Sequence, residues 1–137
     1  MVNDKEGLKK HIEIKIKRQF GMTLDEAKKY LKRSIERKVR RQFGLSMKEA
    51  RPYEIYYALS RTMLDYIVEN WYNTSKTYSE GQVKQMYYFS AEFLMGRYMG
   101  NNLMNLQIYK EISEVLSDIG IDINAIEESE MDPALGN

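Results

Sequence analysis

A seventeen-residue pattern in this chain returns, with nine positions identical, 23 residues further on. His11–Ala27 reads HIEIKIKRQFGMTLDEA and Ser34–Ala50 reads SIERKVRRQFGLSMKEA. Each copy spaces apolar residues by four, Ile12, Ile16 and Phe20 in the first and Ile35, Val39 and Phe43 in the second. That is the signature of one buried helix stripe. Gly21 and Gly44 then sit where a helix ends in the left-handed region. Thr23 and Ser46 follow, each with a glutamate three residues on (Glu26, Glu49), the pattern of a capping box. Two copies are too few for a solenoid, so the pattern predicts two similar helix-turn units, each breaking at its glycine.

The 137 residues suffice for one domain with a modest core, and a hydrophobic fraction of 43% against 30% charged is globular. The chain has no cysteine, which excludes a disulfide framework and thiolate metal sites. No stretch reaches the length of a membrane span and the start has no secretory apolar segment, so the expectation is a cytoplasmic protein. The net charge of +1 hides an asymmetry: residues 1–51 hold 16 basic against 7 acidic side chains, and residues 52–137 hold 5 against 13. The basic half reads either as a solvated helical face or as a surface for an acidic partner.

Further along, Pro52 fits the first turn of a helix. Ile55, Leu59, Met63, Ile67 and Trp71 predict a long amphipathic helix from Tyr53 to about Tyr72, followed by a polar connection from Asn73 to Gly81. Val83–Phe89 is the one convincing strand, and a lone strand predicts sheet partners elsewhere. Ser90 is a candidate cap for a helix carrying Phe93, Leu94, Met95, Met99 and Leu103. Another helix spans about Ile108–Ile119 and closes at Gly120, and Asp122 caps a short turn through Ile126. Glu127–Asp132 reads as an exposed acidic run.

No self-contained active site emerges. His11 stands alone on a basic helix, no acidic or histidine cluster suits a metal, and no Walker or Rossmann glycine pattern occurs. Gly96 and Gly100 form a lone GxxxG, read as close helix packing. Nucleic acid is a weak reading, because Tyr87 and Tyr88 point to opposite sides of a strand.

Tyr87–Arg97 (YYFSAEFLMGR) resembles the Y-[LF]-S-x-E-F-x-M-G-R segment of glycogen phosphorylases. Asn101–Leu106 continues it. Asp132–Asn137 (DPALGN) is similar to the family's D-A-G-L-G-N, which runs into G-G-L-G-R, so the chain is expected to stop just before that glycine-rich loop. Pro52–Ser60 and Glu69–Trp71 match upstream. The resemblance covers about residues 35–137, and residues 1–33 fit only as an extra copy of the family's first helix. It implies a mainly α chain with one or two short strands, the N-terminal fragment of a two-lobed Rossmann-like (GT-B type) α/β glycosyltransferase. Residues 1–51 would be basic duplicated helix-turn units, and 52–137 the start of the N-terminal lobe.

The resemblance implies phosphorolysis of terminal α-1,4-linked glucose to glucose 1-phosphate, with an α-1,4-glucan and phosphate as substrates and a homodimer as the assembly. It also implies pyridoxal 5′-phosphate as cofactor, held by a lysine absent from this chain. Glu92 and Asn137 would contact the glucose unit, with no catalytic residue in this chain. Ser79 replaces the aromatic residue that in regulated animal members stacks on a nucleotide, and Arg33-Ser34 is a poor phosphorylation motif. The resemblance therefore carries neither form of control. A stand-alone helical module with a basic face remains the alternative.

Overall fold

A computed structural model describes residue 21, residues 23–92 and residues 95–132. Its helices, in chain order, are α1 (Leu24–Phe43), α2 (Pro52–Gly81), α3 (Met99–Asn105), α4 (Tyr109–Ser117) and α5 (Ile123–Glu128). Both glycines of the repeat are left-handed, Gly21 at φ 64° and Gly44 at φ 72°. The first repeat's helix, with His11, lies outside the described residues. The cap of the first copy starts α1: the Thr23 N–H donates to Glu26 Oε2 at 2.8 Å, and the Glu26 N–H donates to Thr23 Oγ1 at 3.3 Å.

The second cap does something different. Ser46 donates from its N–H and its hydroxyl to Glu49 Oε2, at 2.9 and 2.6 Å, yet only one turn follows. The reason is Pro52. A residue before proline is pushed out of the helical region, and Arg51 is extended at φ −77°, ψ 161°. Helix α2 then starts at the proline itself. The buried Glu54 carboxylate accepts from the Arg51 N–H at 2.6 Å and from its guanidinium at 3.1 and 2.6 Å.

Helix α1 packs on α2 and α4, α2 packs on α5, and α4 packs on α3 and α5. Helices α1 and α2 run antiparallel, since Tyr30 meets Tyr66 edge-on and Phe43 meets Tyr57 edge-on with centroids 5.5 Å apart. One core joins Leu31, Ile35 and Val39 to Ile55, Leu59, Leu103, Ile112 and Ile126, and so crosses position 51. The expected helix ending at Gly120 is α4, with Gly120 left-handed at φ 77°. Asp122 caps α5 as anticipated, accepting from the Asn124 N–H at 3.0 Å.

Three expectations are corrected. Helix α2 does not stop at Tyr72 but runs through the polar stretch to Gly81. Thr74 and Thr77 donate back to the carbonyls of Asn70 and Asn73 at 2.9 Å, so their hydroxyls are satisfied within the helix. The far half also escapes the core: Ile67 and Trp71, expected inside, are exposed, Trp71 at 70%. Among the described residues there is no strand, and Val83–Phe89 is exposed coil. A single extended segment has no ladder to join, and its backbone groups face water.

Candidate functional site

The motif segment lies in the connection between α2 and α3. Gln82 turns the chain out of α2 in the left-handed region, at φ 46°. Tyr87 and Phe89, two residues apart, fall on one side of the extended segment with rings stacked at 6.5 Å. The Tyr87 hydroxyl donates to Gln85 Oε1 at 3.0 Å. Met86, Tyr87, Tyr88 and Phe89 are all open to solvent, Phe89 at 88%.

Ser90 was expected to cap a helix, and it does not. Its hydroxyl accepts from the Glu92 N–H at 3.2 Å and donates to the Glu92 carbonyl at 2.7 Å, closing a local turn. Residues 95–98 are not helical, and α3 begins only at Met99. Gly96 is left-handed at φ 64° and stands before α3, so the GxxxG pair is not on one helix. Gly100 does mark a close approach: a Cβ there would lie 2.6 Å from Glu127 Oε1.

What starts α3 is a residue the sequence pattern did not single out. Glu130 accepts from the N–H groups of Tyr98 and Met99 at 3.0 and 2.8 Å. A carboxylate at a helix start satisfies orphan donors and opposes the positive dipole end. The acidic run expected to be solvated thus has two half-buried members, Glu127 and Glu130, folded against residues 98–100. Tyr109 stands beside Glu127, and burial first, then that negative charge, raises its phenol above the usual value. A partner 32 residues away has no local sequence signal.

Of the two expected site residues, Glu92 is exposed, and its carboxylate makes no hydrogen bond or ion pair among the described residues. Asn137 lies outside the described residues, as do Phe93 and Leu94. A cleft of about 510 Å³ lies elsewhere, between the end of α1, the turn at 45–48 and the end of α4. Leu45, Met47 and Ile119 form its apolar part, with Arg40, Lys48 and Asp118 among the charged residues. No group of histidines and carboxylates suited to a metal occurs among the described residues. No helix among them is long and apolar enough to cross a membrane.

This helical unit, whose connection after α2 is exposed from Gln82 to Glu92, is related to the glycogen phosphorylase family through a partial, N-terminal region. It is 38% identical to the glycogen phosphorylase of Chlamydia trachomatis over 84 residues, 61% of this chain and 10% of that protein. It is 38% identical to the muscle form of glycogen phosphorylase of Homo sapiens over 86 residues, 63% of this chain and 10% of that protein. The human brain form is 37% identical over the same length. The chain thus spans about a tenth of the length of the curated relatives it matches. No family profile matches it.

Proposed function

We propose that this chain supplies the opening helices and first motif segment of an α-glucan phosphorylase. The whole enzyme would release glucose 1-phosphate from terminal α-1,4-linked glucose, in the cytoplasm and as a homodimer. The observation that carries the reading is the family relationship, joined to the YYFSAEFLMGR motif in the connection between α2 and α3. In this reading residues 1–51 are basic duplicated helix-turn units, of which residues 1–33 are an extra copy of the family's first helix, and residues 52–137 are the start of the N-terminal lobe of a two-lobed glycosyltransferase fold.

Pyridoxal 5′-phosphate would supply a phosphate group that exchanges protons with the substrate phosphate. Four of the described lysines offer it no cradle. Lys28 and Lys38 are engaged by Glu114 and Asp65, and Lys76 and Lys110 lie on exposed helix faces. No step of the reaction is assigned to the described residues through that group.

Glu92 and Asn137 are the chain's contribution to the glucose pocket, as polar contacts. The charge of Glu92 matters only once further polypeptide encloses it, because an exposed carboxylate exchanges its contacts with water at little net gain. Phosphorolysis assays test the reading at two levels. The 137-residue chain with glucan, phosphate and added cofactor should give no glucose 1-phosphate; turnover there would show that the site has been misplaced. In a longer polypeptide carrying this segment, Glu92→Gln should lower kcat/KM about ten- to a hundred-fold, as expected for one charge-assisted hydrogen bond worth roughly 1.5–3 kcal/mol.

The second reading, a helical module for an acidic partner, has one observation in its favour: Arg33, Arg37, Arg40 and Arg41 are exposed along α1. Salt-sensitive binding of a polyanion by the isolated chain, lost on replacing those arginines by glutamine, would support it.

A further inference from the structure

The repeat reaches further back than its clearest part. Continuing the 23-residue offset pairs Lys5 with Lys28 and Leu8 with Leu31. Residues 28–44 are the part of the chain whose docking is visible. Lys28 pairs with Glu114 on α4. Leu31, Ile35 and Val39 are buried, at 3%, 1% and 0% exposure. Lys38 Nζ lies 2.7 Å from Asp65 on α2, and Phe43 packs on Tyr57. Gly44 ends the helix in the left-handed region.

Each of these docking residues has a counterpart of the same chemistry upstream. Lys5, Leu8, Ile12, Lys15, Ile16 and Phe20 stand at the matching positions, and Gly21 repeats Gly44 in both type and φ. The likeness is not confined to these positions: exposed Arg41 and Gln42 repeat as Arg18 and Gln19, while exposed Arg37 corresponds to Ile14. We propose that the groove between α2 and α4 accepts residues 5–21 in place of residues 28–44, giving the chain a second register shifted by 23 residues.

The described register is preferred for reasons that are on the same surface. Ser34 is buried, with its Oγ 3.3 Å from Thr62 Oγ1. The shift puts His11 there, a ring where a hydroxymethyl group fits. Buried Ala27 becomes Asp4, and Tyr30, which meets Tyr66 edge-on, becomes Gly7. The connection to Pro52 lengthens from residues 45–51 to residues 22–51, which is tolerated because loop-closure entropy grows only with the logarithm of length. Residues 5–21 are tethered to the groove, so they compete at the high effective concentration of an intramolecular ligand.

The chain has no cysteine, so disulfide trapping reads the register in the full chain. Ser34→Cys with Thr62→Cys reports the described register, and His11→Cys with Thr62→Cys reports the shifted one. Glu13→Cys with Thr62→Cys is the control, since residue 13 has nearly the same tether but lies on the opposite helix face. Under mild oxidation the 11–62 bond should form about tenfold faster than the 13–62 bond, because docking raises one local concentration and not the other. Val39→Asp should speed the 11–62 bond alone, and Ile16→Asp should remove its advantage. Equal rates for the two pairs would overturn the proposal. So would an equal acceleration of both by Val39→Asp, which is mere unfolding, or a bond formed between chains instead of within one.

Discussion

Helix α2 is two helices in one. From Pro52 to Tyr66 it places Ile55, Ala58, Leu59, Thr62 and Met63 in the core, against α1 and α5. From Ile67 to Gly81 every residue is exposed, and the exposure continues through Glu92. The backbone geometry is the same throughout, so regularity does not report burial. The near half is held by packing. The far half continues the same helix with no glycine or proline to interrupt it before Gly81, and Thr74 and Thr77 satisfy their hydroxyls on carbonyls of the same helix.

That contrast predicts where the chain is fragile. Leu59 has no exposed surface and lies at the centre of the near half. Leu59→Ala should cost about 2–5 kcal/mol, from lost transfer energy and the cavity left behind. Urea titration followed by far-ultraviolet circular dichroism measures it. A cost below about 1 kcal/mol would show that the near half is no better packed than the far half.

A smaller effect is expected at α3. Glu130→Ala removes the carboxylate that receives the Tyr98 and Met99 N–H groups. The expected loss is about 1–2 kcal/mol, the range for a strong N-terminal cap with a favourable dipole contribution. Glu128→Ala, on an exposed neighbour, should change stability by less than about 0.5 kcal/mol. Equal losses at the two positions would remove Glu130 from its capping role.

These two predictions separate what the sequence revealed from what it hid. Many features set by residues within four positions were legible, although Ser90, read as a helix cap, closes a local turn instead. The legible ones include the Gly44 break, the Thr23 cap, the Pro52 start, Gly120 and the Asp122 cap. The family relationship was legible as well, through Tyr87–Arg97. Features set by distant contacts were not. Glu130 caps a helix 31 and 32 residues upstream, which no local pattern encodes. The stretch 73–81 looked like a loop because it lacks an apolar face, and helix content without burial leaves no periodicity to read. Glu92 was named from the motif alone, and it is exposed.

The ion pair between Lys28 and Glu114 ties α1 to α4 at the edge of the packed region. The Lys28 hydrogen bond holds the Glu114 carboxyl below its ordinary value, and the same bond holds the Lys28 ammonium above its own. The Glu114 share is therefore present above the unfolded carboxyl value near 4.5 and is lost as pH falls through the lowered folded value. The Lys28 share is present below 10.5 and is lost as pH rises through the raised value. Both groups are partly exposed, so the pair is worth only about 0.2–1 kcal/mol after screening. Glu114→Gln should flatten the acid limb of the stability profile, and added salt should shrink the difference between the two proteins.

The smallest expected effect is the sharpest test of the comparison. Leu64, Ile67, Trp71 and Tyr78 form a stripe on the side of α2 away from the core, and all four are exposed. In this chain Trp71→Ala removes almost no buried area, and alanine is the better helix former, so the change should stay within about 0.5 kcal/mol of zero. The near-half counterpart, Leu59→Ala, should cost several times more although the side chain is smaller. In a longer polypeptide that encloses the stripe, the same Trp71→Ala should cost about 3–5 kcal/mol, the range for a buried tryptophan. Parallel melts of the short and long proteins, each with and without the substitution, give the two differences directly. A large loss in the 137-residue chain would mean that the far half is already packed. A negligible loss in both would mean that the stripe faces solvent in the longer protein too, and that α2 carries its second apolar face for a reason other than the fold.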